Sequence, residues 1–118
     1  MELKDLITKD SNSEYNIYDV GPNGTAIGFR LIHDNDIAVQ KIFLSRGAKV
    51  PIHSHIAHEW IIVYKGVIKV RLGPKDTDIE FLSDGSMLYI PPATPHSAEV
   101  DKDCWVLATT IPPDKGYP

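Results

Sequence analysis

Short apolar runs, each closed by turn residues, recur along most of the chain at intervals of roughly 8 to 12 residues, the spacing of all-β sandwiches and barrels. The runs are YNIYDV, TAIGFRLI, IAVQKIFL, HEWIIVY, VIKVRL, TDIEFL, SMLYIP, HSAEV and CWVLATTI. Between them stand GPNG, HDND, SRG, KG, GPKD, SDG and DKD, each supplying the Gly, Pro, Asn or Asp that a tight turn needs. Runs of this length fit strands and are short for helices. At 118 residues the chain has room for one core. The expectation is one all-β domain spanning residues 1–118.

Alternation with period 2 assigns faces within the runs. Ile68, Val70 and Leu72 share a face opposite Lys69 and Arg71; Ile27, Phe29 and Leu31 oppose Arg30; Ile79 and Phe81 alternate with Asp78 and Glu80. Trp60 to Tyr64 is apolar on both faces, so this strand should lie between two layers or pack against another subunit. Only MELKDLIT hints at a helix, with Leu3, Leu6 and Ile7 at helical spacing. The tail at 112–118 is rich in proline and cannot continue a sheet.

Composition removes several classes of function. A net charge of −4, with the 12 basic residues scattered, offers no field for nucleic acid. No stretch approaches the ~20 apolar residues of a membrane span, and MELKDLITKD lacks a signal-peptide core. Cys104 is the single cysteine, which forbids an intrachain disulfide and a thiolate metal cage; DCWVLATT reads as a buried strand holding an inert thiol. Asn23-Gly24-Thr25 reads as a turn rather than a glycosylation site. A cytoplasmic setting is the expectation.

The stretch VPIHSHIAHEWIIVYKG holds three of the chain's five histidines. Strand parity projects His53 and His55 together, and Glu59 with them if the strand runs on without a bulge, while His58 points the other way. Two imidazoles and a carboxylate suit a divalent first-row transition metal better than calcium or magnesium. His96, behind the prolines of YIPPATPHSAEV, is a candidate fourth group; His33, beside the turn DND, reads as solvent-exposed. On spacing alone, a metal site and a nonspecific turn both remain open, although burying these groups without a partner would be costly.

The same residues resemble the first sequence motif of the cupin superfamily: Gly47, five residues, His53-x-His55, three residues, Glu59, six residues and Gly66, over 47–66. The stretch 85–100 is similar to the second motif, with Gly85, Pro91 and His96 in register; Ala93 replaces that motif's glycine and Val100 its asparagine. The departures leave the turn from Pro92 to Thr94 without its flexible residue. The resemblance implies a double-stranded β-helix, or jelly-roll barrel. It also implies that His53, His55, Glu59 and His96 bind one divalent transition metal (Fe, Mn, Ni, Cu or Zn), leaving about two open positions on an octahedral ion.

Around this centre, Gln40 faces inward with Ile42 and Leu44 if Lys41 faces water, and is a candidate polar contact for a metal-bound water or substrate, or equally a group that satisfies the backbone near a strand end. Ile61 and Val63 share the parity of Glu59 and should line an apolar pocket wall; Trp105 and Tyr89 are left unplaced. Three functions compete. A mononuclear metalloenzyme of dioxygenase, isomerase or lyase type would act on a small polar molecule. A barrel that binds or senses a small molecule or metal without turnover is the alternative. In the third, the metal only stabilises the fold. The two-faced strand and the resemblance both point to a homodimer.

Overall fold

The computed structural model describes residues 2–9, 13–73 and 78–113. Ten strands follow in chain order: β1 (Tyr15–Asp19), β2 (Thr25–His33), β3 (Ala38–Leu44), β4 (Lys49–His53), β5 (His58–Lys65), β6 (Ile68–Leu72), β7 (Asp78–Leu82), β8 (Met87–Ile90), β9 (His96–Glu99) and β10 (Cys104–Ile111). They form two antiparallel sheets, a large one ordered β1-β2-β3-β10-β5-β8 and a small one ordered β4-β9-β6-β7. From β3 onward the chain crosses between the sheets at every step except β6–β7, as in a jelly roll. The part of the GPKD turn beyond Gly73 and the tail beyond Pro113 lie outside the described residues.

The inner faces meet over a core of small and branched side chains. Ile42, Leu44, Val63, Cys104 and Val106 from the large sheet face Ile68, Val70 and Val100. Strand β3 shows strict alternation, with Ala38, Gln40, Ile42 and Leu44 buried and the residues between them half-buried. Close approach fixes some positions. A Cβ on Gly24 would stand 2.2 Å from the Ala48 backbone, so the β1–β2 turn can press on the β3–β4 connection only with glycine there. Asn23 and Gly24 are indeed in that turn, where Val20 N–H donates to the Gly24 carbonyl.

Two sequence expectations need correcting. The amino-terminal segment forms a single 3₁₀ turn, Leu3–Leu6, with every residue exposed; Ile7 is already extended. Four residues cannot offset the cost of helix nucleation, and no tertiary face covers them. The doubly apolar strand β5 does not lie between two layers of this chain. Glu59 and Val63 are buried against the core, whereas Ile62 and Tyr64 on the opposite face are 38% and 42% exposed.

The outer face of the large sheet is accordingly aromatic. In β2 the buried positions are Ala26 and Gly28, so Ile27 and Phe29 face outward, while Leu31 falls in a bulge between Arg30 and Ile32. Phe29 and Phe43 pack on Trp105 at centroid distances of 6.4 and 4.8 Å, and Tyr64 reaches it at 6.1 Å. The Lys41 ammonium sits 4.9 Å from the Trp105 ring. Trp105 thus belongs to the outer layer and not to the interior. Tyr89 lies there too, 5.3 Å from Trp60.

Burial sets expectations for stability. Ile90 is fully buried, so Ile90→Ala should cost ~2–5 kcal/mol in urea unfolding. Cys104 is fully buried as well, and burial raises its thiol to about 11. It should stay closed to a thiol reagent at neutral pH until that same unfolding transition, and reactivity in the native protein would contradict this packing.

Candidate metal centre

The strand that was to carry the cluster breaks within it. β4 ends at His53 and β5 begins at His58, with His55 in the intervening loop. His53 therefore sits on the small sheet and Glu59 on the large one. Convergence comes from the two sheets facing each other, not from parity along one strand. His96 is the register partner of His53 across the β4–β9 pair, so antiparallel pairing places these two imidazoles side by side.

The three rings pack closely, with centroids 4.1 Å apart for His53–His96, 5.0 Å for His55–His96 and 5.9 Å for His53–His55. One ring nitrogen from each lies within 4.8 Å of the others, so His53, His55 and His96 could hold a metal ion. Glu59 is 2% exposed, and its Oε1 lies 3.1 Å from His55 Nε2 and 3.4 Å from His96 Nε2. His58 leaves the group: its Nδ1 meets the Tyr89 hydroxyl at 2.6 Å on the outer face. His33 is exposed at the end of β2.

Backbone carbonyls decide which nitrogens point inward. Nδ1–H of His53 donates to the Pro51 carbonyl at 2.9 Å, that of His55 to Ala57 at 3.0 Å, and that of His96 to Thr94 at 2.8 Å. These partners suit one tautomer in all three rings, with Nδ1 protonated and Nε2 turned inward as a candidate ligand atom. His55 and His96 then present lone pairs to a carboxylate, acceptor against acceptor, and His96 Nε2 is buried without a hydrogen-bond partner. A cation between them resolves this arrangement. The residues present fit a metal.

The charges agree. Burial pushes the Glu59 carboxyl upward, but His96 and His55 outweigh it and hold the group below its ordinary value. Burial pulls His96 down, yet Glu59 and the Thr94 carbonyl prevail and raise it. For His53, burial dominates and favours the neutral ring.

A cavity of ≈ 50 Å³ opens beside His53, Glu59 and His96. Its remaining walls are Ile42, Leu44, Val50, Ile61, Ile68, Ser97, Ala98, Val106 and Ala108. Of the pocket residues expected from sequence, Ile61 lines it. Val63 is fully buried one step deeper, and Gln40 faces inward but stands outside the walls, its amide oxygen packed over Gly28. The three carbonyl clamps were not anticipated. The only trace they leave in sequence is their fixed offset of two residues from each histidine.

The cupin domain family matches residues 42–109, more than half of the chain. This chain is a cupin. No curated protein matches it in sequence. Among solved structures it is similar to an RmlC-like cupin from Shewanella frigidimarina (21% identity, TM-score 0.77, covering 95% of both chains). It is also similar to KdgF from Halomonas sp. (24%, TM-score 0.71, 91% of this chain and 94% of that one). A third is a predicted oxalate decarboxylase from Thermotoga maritima (15%, TM-score 0.76, 91% and 99%). At these identities the likeness shows the fold.

The cupin motifs explain the backbone around the site. Gly66 adopts φ 109°, and a Cβ there would stand 2.9 Å from the Asp103 carbonyl, so only glycine closes this corner. Ala93, where the second motif has glycine, keeps the left-handed conformation at φ 59°, and its N–H donates to the His55 carbonyl at 2.7 Å. The turn survives the substitution under strain. Ala93→Gly should therefore leave stability unchanged or raise it by up to ~1 kcal/mol, whereas Ala93→Val should lose ~1–2 kcal/mol. Thermal melting of the two variants checks the opposite signs.

Proposed function

We propose that this cupin is a mononuclear metalloenzyme in which His53, His55, Glu59 and His96 hold one divalent transition metal. The observation that carries this reading is the set of three Nδ1–carbonyl clamps, which aim three Nε2 lone pairs at one point beside a buried carboxylate. A bound metal would act as a Lewis acid at open coordination positions. The protein supplies the rest: imidazoles held by backbone carbonyls, a carboxylate lowering the net charge, and a small, mostly aliphatic cavity. A purely structural zinc site is more often closed, tetrahedral and built from cysteine. Dioxygenase, isomerase and lyase chemistry on a small molecule all suit this arrangement, in a cytoplasmic protein.

A second reading has one specific observation behind it. Apart from the proposed ligands, Ser97 is the only polar residue among the described cavity walls, so among the described residues no separate general base lines the cavity. A barrel that binds a small molecule without turnover fits that wall equally well. Oxygen uptake with small thiols, diketones and phenolics, together with product analysis, separates the two: ligand binding without any turnover favours the binding barrel.

Elemental analysis of freshly purified protein should find about one transition metal per chain, and His96→Ala should lose most of it. Equal metal content in the two proteins would sink the four-ligand assignment. The metal-free protein should remain folded by melting while losing ligand binding, and unfolding on chelation would favour a metal that serves only stability.

The outer face of the large sheet supports a homodimer. Besides its ring cluster it exposes Tyr15 and Ile17 (59% and 60%) on β1 and Met87 (61%) on β8, apolar side chains that a second copy could cover. Ile62→Glu should convert a dimer into a folded monomer in sedimentation at micromolar concentration. A wild-type monomer under those conditions would refute the dimer.

A further inference from the structure

Charge and wall chemistry together define what the cavity accepts. Three neutral imidazoles and one carboxylate around a divalent ion leave one unit of positive charge. Besides the Ser97 hydroxyl the described walls offer nothing to balance a ligand: they hold no Lys, Arg, Asn, Gln, Tyr or Trp. Inward-facing polar residues of the large sheet such as Gln40, Arg30 and Thr110 stand outside those walls. The surfaces nearest the ligands are aliphatic, from Ile42, Leu44, Val50, Ile61, Ile68 and Val106. A second charge or a row of hydroxyls on a ligand would be buried there without partners, which costs free energy that the walls cannot return.

We infer that the site takes a small monoanionic oxygen ligand with a compact hydrocarbon body, such as a short-chain monocarboxylate or an enolate of similar size, and discriminates against dianions and polyhydroxylated molecules. The inference rests on the metal-binding reading above. The anionic oxygen neutralises the residual charge, and the carbon chain lies on the aliphatic walls. Size follows from the cavity. At about 10–15 Å³ for each water-sized position, ≈ 50 Å³ holds roughly four non-hydrogen groups. With the carboxylate oxygens in the metal's shell rather than in this space, carbon bodies of two to four atoms fit, and longer ones outrun it.

Cobalt(II) supplied to the metal-free protein gives visible bands that report ligands entering its shell, with no need for turnover. Titration with acetate, propionate and butyrate should shift those bands at successively lower concentration, with hexanoate weaker than butyrate. The decisive pair is butyrate and succinate, equal in chain length and differing by one terminal carboxylate. Butyrate should bind at least tenfold more tightly. Succinate binding as tightly as butyrate overturns this inference while leaving the metal site standing. Failure of the wild-type protein to develop cobalt bands overturns the metal site itself, and the inference with it. Ala108→Leu, which fills the cavity from a wall residue that is not a ligand, should keep the bands and lose the butyrate response; an undiminished response would show that the anion binds elsewhere.

Discussion

The contact between the inner faces of the two sheets holds the rest of the molecule in place. Val63, Cys104 and Val106 on one side and Ile68 and Val70 on the other bring β4 and β9 opposite β5. Without that contact, His53 and His96 would remain neighbours through their own strand pairing, but Glu59 would be on a separate surface. The core is thus more than a source of stability. It sets the distance between a histidine pair and a carboxylate that belong to different layers, and densely packed interiors hold such distances within narrow limits.

On this frame the centre is electrostatically one-sided. Backbone carbonyls take the outward protons of all three imidazoles, so the inward side carries only lone pairs and a carboxylate. An arrangement of acceptors without a donor is costly in an apolar interior. The fold tolerates it because the core packing around it is nearly complete, with neighbours such as Ala57 and Ile90 fully buried. The three imidazoles could hold a cation, and aliphatic walls line most of the small cavity beside them.

Much of this was legible in the sequence. Turn spacing and period-2 runs give an all-β chain, and the motif residues Gly47, His53, His55, Glu59, Gly66 and His96 give the family and the candidate centre. Parity also placed His58 outside. The grouping of His53 with Glu59 along one strand does not hold as strand parity, because a loop at residues 54–57 separates them and only the sheet packing brings both beside one cavity. Which apolar face is inner could not be read from alternation: Ile27, Phe29 and Leu31 look like a core stripe, yet Ala26 and Gly28 are the buried ones. Alternation reports that two faces differ; what covers each is decided by partners elsewhere in the chain or beyond it. The carbonyl clamps were hidden for a simpler reason, since a backbone oxygen has no letter in the sequence.

The aromatic outer layer has a consequence for how this protein can diverge. Most sheets with one face in solvent have a neutral side on which substitutions accumulate. In β5 and β10 neither side is neutral: Glu59, Val63, Val106 and Ala108 hold the interior, while Trp60, Tyr64 and Trp105 interlock outside. Tolerated changes should instead collect on β7, whose residues are almost all exposed, and in the turns. Homologues that keep this outer layer should then look most alike in strands that carry no ligand at all.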